Sequence, residues 1–181
     1  EFSKTRPFAI FCTHISNVTG YILPIKEIFL EGKKYNSINI LDSAQSLGLI
    51  EVNAENTGTD IIAFTGHKSL YGPFGIGGFI NVSNVQLNTF ITGGTGSNSL
   101  DLNMPSGSEI KYEPSSCNIV AIAGLNAALK VLNQKEHYEY EKELTTYLIN
   151  RLKSVNSVKI IYEYPFEKQI GIVSFIVSDY S

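Results

Sequence analysis

The chain has 181 residues, 43% of them hydrophobic and 17% charged, with a formal net charge of −3. That balance suits a packed core rather than a disordered chain and argues against a general polyanion binder. No lysine- or arginine-rich block points to nucleic acid, no apolar run reaches the roughly 18–20 residues of a membrane span, and the two cysteines, Cys12 and Cys117, lack CxxC or zinc-ligand spacing, so no metal site is expected.

FAIFCT, from Phe8 to Thr13, is a short apolar run that reads as a buried strand, and the turn-rich ISNVTG follows it. Pro24 opens a helical pattern, PIKEIFLEGKK, with proline at a favourable first position. Ile38 to Leu41 is a second strand ending at Asp42. Asp60 to Phe64 is a third, ending at Thr65, and Gly77 to Val82 is a fourth. This order is the grammar of an α/β fold, a mainly parallel sheet sandwiched by helices. Ligands gather at the carboxyl ends of such strands. Ser16 and Asn17, Asp42 to Gln45, and Thr65 to Lys68 all follow strand ends, so the three groups are expected along one sheet edge.

A segment rich in Gly, Ser and Asn follows, GGTGSNSLDLNMPSGSEIKYEPSS, which at this length reads as a functional loop. Asn118 is placed to cap the next helix. NIVAIAGLNAALKVLN is apolar nearly all round, so that helix is expected to be buried. A charged helix covers Lys135 to Lys153, and His137 on it is expected to be solvated. VKIIYEY and GIVSFIV then read as strands. Residues 1–134 are assigned to one larger domain and 135–181 to the start of a small α+β domain. The chain lacks an initiator methionine, starts close to a strand and stops just after one, so a partial chain is expected.

Lys68, in TGHKSLYGPFGIGG, is the residue to explain. A solvated turn lysine is the bland reading. A P-loop would place the lysine after its glycines, and GPFGIGG has neither GxGxxG spacing nor a helix behind it. The chemical reading left is an amine nucleophile held at a pocket edge, forming a Schiff base with an aldehyde. If that aldehyde belongs to pyridoxal 5'-phosphate (PLP), a carboxylate must face the pyridine nitrogen, and hydroxyl and imidazole donors must hold the phosphate. Asp42 supplies a carboxylate at a strand end, though with Gln45 three residues on it also fits a helix N-cap and capping box. Thr65 and His67 supply the donors, although a lone histidine there could be structural.

THISNVTG, ILDSAQSLG and FTGHKSLYGPFGIGGF, in this order, resemble the class V aminotransferase superfamily, closest to its cysteine desulfurase and selenocysteine lyase branch. The resemblance covers essentially the whole chain and implies fold type I of the PLP-dependent transferases with an incomplete large domain. By resemblance, Lys68 is the catalytic, cofactor-bearing lysine and shuttles the substrate proton. Asp42 pairs with the pyridinium nitrogen, Gln45 bonds the cofactor's phenolic oxygen, and Asn17 lies near that oxygen and the substrate carboxylate. Thr65 and His67 bind the phosphate. In KYEPSSCN, Ser116 matches a threonine that reaches the partner subunit's phosphate in a homodimer, with Ser115 and Cys117 standing where glycine and proline are usual. Gly93 to Ser97 matches a loop near the dimer interface. His14 matches a residue beside the site, and Cys12 reads as a core residue.

The resemblance implies an amino-acid substrate, most closely L-cysteine, with sulfur passed to an enzyme cysteine and then to an acceptor protein, in the cytoplasm. Neither Cys12 nor Cys117 matches that cysteine, and Arg151 does not match the substrate-carboxylate arginine, so the 181-residue piece is expected to be inactive alone. Another class V chemistry (aminotransferase, selenocysteine lyase, epimerase-like) and a non-catalytic dimerisation module remain as alternatives.

Overall fold

In the computed structural model, residues 2–94, 101, 103–106 and 109–178 are described. A short helical turn, α1 (Phe2–Thr5), precedes β1 (Ala9–Thr13), so the chain enters its first strand through a turn at Arg6. Then come α2 (Ile25–Lys33), β2 (Ile38–Asp42), α3 (Ala54–Thr57), β3 (Ile61–Thr65) and β4 (Gly77–Asn81). α3 was not anticipated. Its signals were Asn53, whose side chain accepts the Asn56 N–H, and Gly58, which closes it at φ 70°.

The four strands lie in the order β1-β2-β3-β4. β1, β2 and β3 are parallel, with Thr13 opposite Asp42 and Asp42 opposite Ala63. β4 returns antiparallel to β3, Thr65 facing Gly77. The reason is the connection: it has no helix to carry a crossover, and only a short return is needed for antiparallel pairing.

α2 covers one face of the sheet. Ile25 and Phe29, four residues apart on its inner stripe, pack on Ile10 and Leu41 from β1 and β2. Asp60, just before β3, ties this layer together. Its buried carboxylate accepts the Asn39 N–H at 2.8 Å and pairs with Lys33 of α2 at 2.5 Å. Burial pushes this carboxyl's pKa up, but the bonds from Asn39, Lys33 and Ser83 outweigh it and hold it below the usual value. On the opposite face Phe11 is 77% exposed.

α4 (Ile119–Val131) begins as expected, with the Asn118 side chain accepting the Ala121 N–H at 3.1 Å. Its expected burial is corrected. Only Ala121 and Leu125 are buried on it, while Ile119, Val120 and Val131 lie open at 73–81% exposure. An all-round apolar helix needs cover on both sides, and the described residues cover one.

The charged helix is α5 (Gln134–Lys153). The two strands behind it are shorter than the sequence pattern: β5 (Val158–Ile160) pairs antiparallel with β6 (Phe175–Val177) as a separate two-stranded sheet. Between them the buried Gln169 takes over the backbone groups. It donates to Thr19 O at 2.9 Å and Ile172 O at 3.2 Å, and accepts the Tyr164 N–H at 2.9 Å. Ile170 joins Ile15 and Leu49 in a second small core. The tail is thereby bound to the loop after β1.

Candidate active site

The parallel register settles the geometry of the sheet edge. Thr13 and Asp42 end adjacent strands side by side, and Thr65 ends β3 two residues beyond Asp42's partner Ala63. Because strand side chains alternate, Asp42 and Thr65 project from the same face. Strand spacing and rise put their Cα atoms about 8 Å apart, the scale of a phosphorylated aromatic ring. The loops carrying Asn17, Asp42 to Gln45, and Thr65 to Lys68 therefore share one edge, as expected from the sequence.

Asp42 is exposed, and one carboxylate oxygen accepts the Ala44 N–H at 2.9 Å in an Asx turn. No α-helix follows. Successive turns run through Ser46, where the Ser43 and Ser46 hydroxyls meet at 2.7 Å. The N-cap alternative for Asp42 and Gln45 is not realised, and Gln45 sits half-buried in these turns. Behind Asp42, the His14 N–H donates to the Asp42 carbonyl at 2.9 Å. The His14 ring is buried with no partner for Nδ1 among the described residues, and burial pulls its pKa down, favouring the neutral ring.

The lysine turn is closed by backbone. Gly66 N–H donates to Ile76 O, Gly72 N–H to Gly66 O, and Tyr71 N–H to Lys68 O at 2.8 Å. A Cβ on Gly72 would lie 2.9 Å from Gly66 O, so the glycine behind the lysine provides clearance for this closure. Lys68 is half-buried, and no carboxylate among the described residues pairs with its amine. Thr65 Oγ1 and His67 Nδ1 share a hydrogen bond at 2.7 Å, and the His67 ring stacks on Phe74 with centroids 4.8 Å apart. A hydroxyl and an imidazole are thus held together, directly before Lys68 in the chain.

Asn17 is exposed at the tip of the loop after β1. Ser16 Oγ shapes that loop by accepting the Val18 and Thr19 N–H groups. Ser116 stands apart. It lines a cavity of about 800 Å³ beside β4, together with Phe79 and Tyr112, and none of Asp42, Gln45, Thr65, His67 or Lys68 lines that cavity. Ser115 takes φ 78°, so a serine keeps the left-handed backbone that glycine adopts without strain. Its N–H donates to Gly94 O at 2.7 Å. Of the Gly93 to Ser97 stretch, residues 95–97 lie outside the described residues.

The donor set fits the cofactor named above. Asp42 keeps an oxygen free of its own turn, Thr65 and His67 form a hydrogen-bonded hydroxyl–imidazole pair, and the Lys68 amine pairs with no carboxylate among the described residues.

A family model described as aminotransferase class-V matches residues 3–181. The chain belongs to the aminotransferase class-V family. A probable cysteine desulfurase from Halalkalibacterium halodurans is 31% identical over 97% of this chain and 44% of its own length. The apo structure of a cysteine desulfurase from Thermococcus onnurineus NA1 superposes with a TM-score of 0.85 at 25% identity, covering 99% of this chain and 48% of that one. A C-DES mutant with glycine covalently linked to its PLP cofactor shares the fold, with a TM-score of 0.72 at 24% identity, over 94% of this chain and 47% of that one. The chain thus spans less than half the length of these class-V relatives.

Sequence reasoning missed three features of the chain. Asp60 looked like the first residue of a strand, and Gln169 like one polar residue among several; nothing in the sequence marked the burial of either. His137 is corrected from solvated: its Nδ1 is buried with no hydrogen-bond partner among the described residues, and its ring meets Tyr71 edge-on.

Proposed function

We propose that this chain carries the PLP site of a cysteine desulfurase, converting L-cysteine to L-alanine and leaving the sulfur on an enzyme cysteine as a persulfide. The observation that carries the reading is the shared edge, where Asp42 and Thr65 project from one sheet face and Lys68, whose amine pairs with no carboxylate among the described residues, follows directly. The class-V relatives bearing the cysteine desulfurase name support the substrate.

Bound there, PLP supplies an aldehyde for amine capture and a ring that withdraws negative charge from the substrate Cα. Lys68 would be its covalent anchor and would hold or move the proton at the substrate Cα. Asp42 holds the ring nitrogen protonated. Thr65 and His67 donate to the phosphate, Gln45 to the phenolic oxygen, and Asn17 orients the substrate carboxylate. Ser116 serves the partner subunit's phosphate across a homodimer, consistent with its place away from the other six.

In the net reaction the substrate C–S bond breaks, sulfur joins an enzyme thiol to give the persulfide, and carbon gains the proton that completes alanine. The receiving thiol is neither described cysteine. Cys12 is half-buried, with burial raising its pKa away from the reactive thiolate. Cys117 lies in the loop beside β4, within 3.6 Å of Glu113. We place the parent protein in the cytoplasm, handing sulfur to an acceptor protein. No described helix is long and apolar enough to cross a membrane.

The test incubates the full-length protein and the 181-residue chain with PLP, L-cysteine and a reductant. Alanine and sulfide in equal amounts from the full-length protein, and none from the chain alone, are expected. Amino-group transfer to a keto acid without sulfide would overturn the desulfurase reading in favour of an aminotransferase.

A further inference from the structure

One stripe of α5 is not accounted for by the site. His137, Glu141, Thr145 and Ile149 follow one another at four-residue spacing and so lie along one face of the helix. Thr145 and Ile149 are buried. Glu141 is half-buried, and burial raises its pKa. A charged, solvated helix would not bury such a set, so this face has a structural task.

The contacts define it. At the N-terminal end, the His137 ring meets the Tyr71 ring edge-on, with centroids 4.9 Å apart and planes at 62°. Tyr71 holds a left-handed φ of 55° and donates its N–H to the Lys68 carbonyl at 2.8 Å. Midway, Glu141 Oε2 covers Gly171 so closely that a Cβ there would lie 2.8 Å away. Thr145 Oγ1 accepts the Gly171 N–H at 3.1 Å. Next to Gly171, Ile170 donates to Gly20 O at 3.0 Å, and Gly20 closes the turn that carries Asn17 by donating to Ser16 O at 2.9 Å. One helix face therefore braces both the lysine turn and the asparagine loop.

We propose that His137 is a positioning residue for Lys68, acting through Tyr71 and coupling the lysine turn to the Asn17 loop along α5. The buried His137 Nδ1 has no hydrogen-bond partner among the described residues, and the contact that reaches the lysine turn is the ring's edge-on packing on Tyr71. A non-glycine residue at positive φ persists only where its surroundings hold it there, and His137 is the ring packed on Tyr71. The proposal rests on the PLP reading of Lys68.

The test compares wild type, His137→Ala and His137→Phe in the full-length protein. Two quantities are read: hydrogen exchange at the Tyr71 amide without cofactor, and the rate at which borohydride fixes PLP on Lys68. In H137A, faster Tyr71 exchange and a roughly tenfold slower labelling are expected, since small displacements of a reacting group cost rate steeply. H137F, which keeps a packing ring while losing both imidazole nitrogens and the electrostatic influence of His137 on Glu141, restores both. H137A that exchanges and labels like wild type overturns the proposal alone, as does H137F that behaves like H137A. Wild type that takes no label on Lys68 overturns the PLP reading, and the role assigned to His137 falls with it.

Discussion

Lys68, Asp42 and Thr65 could be picked out of the sequence because each follows an apolar strand and carries chemistry that a strand end can use. Asp60 could not, because a carboxylate before a strand looks the same whether it is solvated or buried. Its importance comes from tertiary neighbours 27 and 21 residues away, Lys33 and Asn39. Asp60→Asn is expected to cost about 1.5–3 kcal/mol, the scale of hydrogen bonds to a charged group, read as a shift in the denaturant midpoint at neutral pH. The sign with pH follows from the lowered pKa in the folded chain. The charged form's contribution is complete above the unfolded value of about 3.9 and is lost as pH falls through the lower folded value. Wild type should therefore lose more stability than D60N on acidification below about pH 4; equal acid sensitivity would contradict the pairing. Ser115 teaches a related lesson. A departure from a glycine pattern did not abolish the positive φ there.

Among the elements, the four strands of the main sheet and helices α2, α4 and α5 stood within a few residues of their sequence patterns, because periodicity and caps such as Asn118 are local signals. What was not local was misread. The apolar α4 was expected to be buried, but its pattern records the need for cover rather than its source. The tail strands were read too long because Gln169, rather than a continued ladder, satisfies the backbone between Ile160 and Phe175. Gln169→Ala would leave the Thr19 and Ile172 carbonyls and the Tyr164 N–H without this partner. A loss of at least about 1–3 kcal/mol is expected, with faster amide exchange at Tyr164. A change within a few tenths of a kcal/mol would mean that water replaces these bonds and that the tail is tied elsewhere.

Across the whole molecule, the fold class was legible because parallel strands with helical crossovers leave a distinctive order of motifs. The open face bearing Phe11, the exposed half of α4 and a length under half that of the class-V relatives belong together. Asp42, Thr65, His67 and Lys68 lie along one sheet edge, while Ser116 lines a cavity that none of them lines. The distinction between a PLP anchor and an ordinary turn lysine therefore rests on Lys68 itself. The most direct measurement incubates the full-length protein with PLP, reduces it with borohydride and maps the modified peptide by mass spectrometry. A single phosphopyridoxyl group on Lys68, absent from Lys68→Ala, is the expected result. A folded protein that takes no label, or takes it on another lysine while Lys68 stays free, would contradict the assignment.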